Sequence, residues 1–153
     1  MIYYFSSLLL DQFSFLNVFK YLTFRASGAF ITSILISFLI GPKLIKYFKN
    51  KQKLGQPIRD DGPKWQIEAK KGTPTMGGTL ILFALTVSII MWTDLFNIYV
   101  WLVLFITLSF GMIGFIDDYL KLKKYSFKGL SGKVKIIIQS IITLIFCYLL
   151  LLF

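Results

Sequence analysis

Long apolar runs, unalternating and separated by blocks of positive charge, set the frame of this sequence. Four runs approach the roughly 20 apolar residues that a helix needs to cross a hydrocarbon core. They are Ala26 to Ile40, extendable towards Phe48; Met76 to Trp92; Leu95 to Ile116; and Ile136 to Phe153. None shows the extended charged face of a soluble surface helix or the alternation of a half-buried strand. In lipid only helices and closed barrels satisfy their own backbone, and runs this long favour helices. The expected fold class is all-α: a polytopic membrane protein with four transmembrane helices at 26–48, 76–92, 95–116 and 136–153. Loops at 49–75 and 117–135 join them, in one transmembrane domain.

Smaller signals qualify that frame. Phe13, Phe15, Phe19, Tyr21 and Phe24 surround Lys20, which suits a helix lying at the membrane interface before the first span. Gly41-Pro42 falls near the end of span one, where proline is expected to kink or end the helix. The start, Met1-Ile2-Tyr3-Tyr4, lacks the basic region of a cleavable signal, and no small-x-small site follows. Leu149 to Phe153 is still lipid-like with no polar tail, the expectation being a fragment of a longer polytopic protein.

Charge then orients the spans. Nine bases lie between Lys43 and Lys71, and six between Lys121 and Lys135, whereas the turn between spans two and three offers only Asp94. Positive-inside bias puts both basic loops in the cytoplasm and the Asp94 turn outside. The amino terminus is then outside, against a small counter-signal from Lys20 and Arg25.

Composition narrows the function classes. The chain of 153 residues is 56% hydrophobic and only 16% charged, with a net charge of +10; its mean hydropathy is +0.72. A basic balance fits nucleic acid, a membrane surface or an anionic substrate, and the apolar runs make nucleic acid the poorest of the three. Histidine is absent, so imidazole chemistry is excluded. The single Cys147 excludes a disulfide framework or a thiolate metal site within one copy.

Three constellations could carry chemistry. Asp117 and Asp118 close span three, at a depth where ionisable groups are costly and usually functional. They could simply mark the water boundary, with Asp117 pairing to Lys121 at the favourable four-residue spacing. Two points favour function. Carboxylates near a helix C-terminus oppose the macrodipole and call for a cation. Successive residues also point about 100° apart, so one acid could bind Mg²⁺ while the other handles a proton or acts as nucleophile.

The second constellation is Lys70-Lys71-Gly72-Thr73-Pro74-Thr75-Met76-Gly77-Gly78. Thr73 is an expected N-cap with Pro74 in the first helical position, and the first-turn amides beside two lysines could attract an anion. A capped helix start with two glycines for close helix contact explains the string equally well. The third is the basic loop holding Lys121, Lys123, Lys124, Lys128, Lys133 and Lys135, mostly topology signal but on the same membrane face as the acids. Arg59-Asp60-Asp61-Gly62-Pro63 reads as a loop turn.

Four strings occur in order: residues 17–26 (Asn17 to Ala26), Asp61-Gly62-Pro63, Gly72-Thr73-Pro74-Thr75-Met76-Gly77-Gly78 and Gly114-Phe115-Ile116-Asp117-Asp118-Tyr119. Together they closely resemble the phospho-N-acetylmuramoyl-pentapeptide transferase family of bacterial peptidoglycan synthesis, within the polyprenyl-phosphate sugar-1-phosphate transferase superfamily. The likeness runs through essentially the whole chain, and Gly-Thr-Pro-Thr-Met-Gly-Gly is its specific part. It implies a Mg²⁺-dependent enzyme of the bacterial inner membrane, active on the cytoplasmic face. Phospho-MurNAc-pentapeptide would pass from UDP-MurNAc-pentapeptide to undecaprenyl phosphate, giving lipid I and UMP. The resemblance makes Asp117 and Asp118 the paired active-site acids and metal contacts. Lys70 and Thr75 become residues of the substrate loop, and Lys121 and Lys133 basic positions near the cleft. Members have about ten transmembrane helices, as several spans of roughly 20 residues each allow, and admit a homodimer of the full-length protein. The later loops with a further Asp, an Asn motif and a His-rich motif are missing from this chain, so the chain alone is expected to be inactive. Among the readings left standing are a sister N-acetylhexosamine-phosphate transferase and a small non-enzymatic membrane protein that passes cations on its acids.

Overall fold

The computed structural model describes residues 2–8, 14–52, 72–124 and 129–153, with Gly55, Pro63, Trp65 and Glu68. These residues form helices and no strand. In chain order they are α1 (Ile2–Leu8), a 3₁₀ helix (Ser14–Lys20), α2 (Leu22–Lys51), α3 (Gly78–Trp92), α4 (Ile98–Lys124) and α5 (Gly132–Leu152). Three of them, α2, α4 and α5, are long and apolar enough to cross a membrane. The apolar α3 has 15 residues, a length of about 22 Å at 1.5 Å per residue. The result is a polytopic membrane chain.

Several boundaries differ from those the sequence predicts. α2 does not end at Pro42 but continues to Lys51. Helices at membrane depth tolerate proline when a neighbouring helix supports the site, and here Gly41 is buried with Leu80 of α3 close by. The interfacial aromatic segment is helical as expected, a 3₁₀ helix over Ser14–Lys20, while Phe24 belongs to α2 and Phe13 lies outside the described residues. α3 starts at Gly78, without a side-chain cap, so Thr73 is not its N-cap nor Pro74 its first residue. The cause is Met76, whose φ of 74° places it in the left-handed region, which a helix cannot include. α4 continues two turns beyond Ile116, to Lys124, so part of the second basic loop is helical.

Each long helix packs on its sequence neighbour, and small residues make the close approaches. Gly28 on α2 leaves room for the Trp92 ring of α3; a β-carbon there would collide with it. The Trp92 indole N–H donates to Thr32 Oγ1 at 2.8 Å. Gly111 on α4 likewise accommodates Leu82 of α3. Among the described residues the buried apolar side chains are few: Met76, Ala84, Leu102, Leu104 and Ile113. α5 buries none of its residues. That distribution suits lipid-facing helices, for which an apolar solvent replaces the interior of a soluble domain.

The two ends of the bundle are chemically unlike. At one end Tyr4 donates to Asp94 Oδ1 at 3.0 Å, and Phe19 stacks on Trp92 with ring centroids 5.9 Å apart. The amino-terminal segments and the Asp94 turn therefore share that end. The opposite end gathers Asp117 and Asp118, Lys121 and Lys135, and the segment entering α3.

Candidate active site

Asp117 and Asp118 sit about two turns before the C-terminus of α4. The helix dipole acts chiefly within the last turn, so the extension to Lys124 largely removes the opposition expected from the sequence. What holds the acids instead is a set of named partners. Lys121, one turn on, brings Nζ to 2.7 Å from Asp117 Oδ2 and 3.4 Å from Asp118 Oδ1. This is the helical pairing that spacing predicts, shared between both acids.

Beyond that lysine the two acids face different elements. Asp117 turns towards the start of α5. Its Oδ1 accepts the Leu130 N–H at 2.8 Å and lies 2.9 Å from Lys135 Nζ. Gly129 makes the approach possible, because a β-carbon there would meet the Asp117 carboxylate. Ser131 caps α5, its hydroxyl accepting the Val134 N–H. Both Asp117 oxygens are thereby engaged, and its side chain is only 9% exposed.

Asp118 turns towards the segment before α3. The Thr75 hydroxyl donates to Asp118 Oδ2 at 2.9 Å. Thr75 is fixed from the other side by Gln52, just past α2: Gln52 Oε1 accepts the Thr75 N–H at 2.8 Å, and Gln52 Nε2 reaches the Thr75 carbonyl at 3.4 Å. The Thr75 amide is therefore committed to Gln52. Asp118 keeps 29% side-chain exposure and acceptor capacity on Oδ1. A cavity of about 470 Å³ lined by Lys49, Asn50, Gln52 and Gly72 opens nearby.

Of the residues singled out from sequence, the fold brings Asp117, Asp118, Lys121 and Thr75 into one cluster. Lys133 is exposed on the first turn of α5, and Lys70 lies outside the described residues, as do Lys71 and the 59–62 turn. Lys135, read from the sequence only as one base of the loop after the acids, joins the cluster, and Gln52 was missed. Lys133 and Lys135 are two positions apart, about 200° around a helix, so one of them can turn back to α4, and it is Lys135. A phased start for α5, set by Ser131, was the available signal. Nothing local in the sequence marked Gln52.

The carboxylates of Asp117 and Asp118 balance the ammonium groups of Lys121 and Lys135, a neutral cluster that can exchange partners with an incoming anion. Among the described residues no three carboxylate, thiolate or imidazole side chains gather as a closed metal cage. Mg²⁺ needs less: it binds through one or two carboxylates plus substrate phosphates and water. Asp118 fits that requirement, being partly open, whereas both Asp117 oxygens already have cationic partners.

Residues 70–82 match the family described as phospho-N-acetylmuramoyl-pentapeptide-transferase signature 1. The chain is 54% identical over 145 residues to the phospho-N-acetylmuramoyl-pentapeptide-transferase of Granulibacter bethesdensis, covering 95% of this chain and 40% of that protein. Against the phospho-N-acetylmuramoyl-pentapeptide-transferase of Dinoroseobacter shibae it is 53% identical over 120 residues, 78% of this chain and 33% of the relative. The chain thus spans less than half the length of these curated relatives.

Proposed function

We propose that this chain, related in sequence along nearly its whole length to the phospho-N-acetylmuramoyl-pentapeptide transferases, supplies the acid pair and substrate loop of such an enzyme. The donor is UDP-MurNAc-pentapeptide and the acceptor is undecaprenyl phosphate. An oxygen of the lipid phosphate attacks the phosphorus that carries the sugar. The bond from that phosphorus to the bridging oxygen breaks, UMP leaves with that oxygen, and lipid I forms for peptidoglycan synthesis. The observation that carries this reading is the Thr75–Asp118 hydrogen bond of 2.9 Å. It joins the signature segment to the acid pair.

Phosphoryl transfer asks mainly for alignment and charge neutralisation. Lys121 and Lys135 are held at the bundle end by Asp117 and can turn to the pyrophosphate oxygens as the donor arrives. Asp117, relieved of a cation, is then the acceptor for a proton from the lipid phosphate. Mg²⁺ would be held chiefly by Asp118, with Asp117 as a lesser contact, and would offset the charge of the pyrophosphate. Lys133 adds positive charge beside the acids' end of α5, and the family resemblance makes Lys70 a further residue of the substrate loop. Positive-inside bias supports a bacterial inner-membrane protein with this face in the cytoplasm.

A chimera tests the reading. The matching stretch of the Granulibacter transferase is replaced by this chain, and lipid I formation is measured in membranes. Activity that depends on UDP-MurNAc-pentapeptide and is lost with Asp118→Asn is expected. A well-inserted chimera that makes no lipid I would count against the assignment. The 153 residues by themselves are expected to release no UMP.

A further inference from the structure

We propose that Gln52 is a positioning residue for the transfer chemistry: its carboxamide clasps the backbone of Thr75 and so sets the Thr75 hydroxyl on the Asp118 carboxylate. In its link to transfer, Gln52 rests on the transferase reading above; the clasp itself is a property of the fold. Gln52 is well placed for the task because its own backbone is tied down. Its N–H donates to the Phe48 carbonyl at 2.7 Å, closing α2, and its carbonyl accepts the Gly55 N–H at 2.8 Å.

From that fixed point the side chain engages both polar groups of the Thr75 backbone, at 2.8 Å and 3.4 Å. Two contacts to one residue restrain its rotation as well as its place. Such restraint is needed here. Thr75 precedes α3 and has no helical hydrogen bond to its amide. The next residue, Met76, is buried with φ 74°, a conformation unfavourable to a residue with a β-carbon. Left to local preference, the segment would relax Met76 and swing the Thr75 hydroxyl away from Asp118. Glutamine alone among similar side chains supplies both an acceptor and a donor at this reach: asparagine is one methylene shorter, and glutamate has no donor.

The clasp is read first in the chain itself, isotope-labelled and held in phospholipid nanodiscs, by amide hydrogen exchange. The Thr75 amide exchanges slowly in the wild-type chain. Gln52→Ala speeds it roughly tenfold, while amides inside α3 keep their protection. Gln52→Glu, which retains the acceptor, restores part of the Thr75 protection. Equal Thr75 exchange in wild type and Gln52→Ala, or no recovery with Gln52→Glu, would overturn the clasp.

Its consequence is read in the chimera as a double-mutant cycle. Thr75→Val and Gln52→Ala each lower kcat more than they change the donor KM, and the double variant is no slower than Thr75→Val alone. Losses that multiply would overturn the positioning role, since Gln52 would then act through something other than Thr75. Should the unmutated chimera make no lipid I, the transferase reading falls and takes the link to transfer with it. The exchange result still decides the clasp.

Discussion

Asp117 and Asp118 are adjacent in sequence and differ in every neighbour except Lys121. Asp117 holds two ammonium groups and the Leu130 amide, whereas Asp118 holds the Thr75 hydroxyl and stays partly open. Their substitutions should therefore separate. In the chimera, Asp118→Asn is expected to lower lipid I formation by about 100-fold or more and to raise the Mg²⁺ concentration needed for half-maximal rate. Asp117→Asn should lower the rate comparably and leave the Mg²⁺ requirement near that of the unmutated protein. A Mg²⁺ titration of both variants checks the split. Lys135→Met removes one of the cations on a nearly buried carboxylate and should cost on the order of 1 kcal/mol, read as a lower melting temperature in detergent. Some of this was legible in advance. The Asp117–Lys121 pair follows from a four-residue spacing, and the divergence of the two acids from helical phase. Gln52 was not, and Lys135 stood only as one base of a loop, because their contacts cross between segments and depend on how the helices pack.

At the scale of the element, the apolar runs located three long helices and the shorter α3, and local rules misjudged three of their ends. Thr73-Pro74 has the form of a helix start, yet the bonds from Gln52 and to Asp118 hold Thr75 outside the helix and Met76 takes a left-handed turn. Pro42 has the form of a helix stop, yet packing of α2 on α3 carries the helix through it. α4 outruns its apolar stretch because Lys121 pairs with the acids one turn back. In the first two cases a tertiary contact overrides a local preference; in the third a local ion pair outweighs the end of the apolar stretch. The α2–α3 interface offers a direct test. Gly28→Val places methyl groups where the Trp92 ring lies and separates the indole from Thr32. Overpacking of this kind costs about 1–3 kcal/mol. The variant should melt earlier, with a shifted tryptophan emission; unchanged melting would mean that the two helices do not meet there.

Across the whole molecule, the structure places two unlike chemistries at opposite ends of one bundle. The Tyr4–Asp94 and Phe19–Trp92 contacts mark one end, and the lysines and acids the other. Charge counting alone predicted this polarity, since it needs only the loops and not the packing. Cysteine labelling checks it. With Cys147 replaced by Ser, a membrane-impermeant maleimide added to intact bacterial cells should label Phe96→Cys. It should label Thr73→Cys and Lys123→Cys only after permeabilisation; labelling of Thr73→Cys and Phe96→Cys from the same side would break the topology. The grip of Leu130 and Lys135 on Asp117 also bears on biogenesis. Once α4 has left the ribosome and before α5 has followed it, Asp117 has Lys121 but lacks its other two partners, at a depth where insertion machinery disfavours an incompletely paired carboxylate. α4 and α5 therefore gain by entering the bilayer as a hairpin. A nascent chain arrested with α4 but not α5 outside the ribosome should crosslink to the translocon more strongly than one arrested after α5 has emerged.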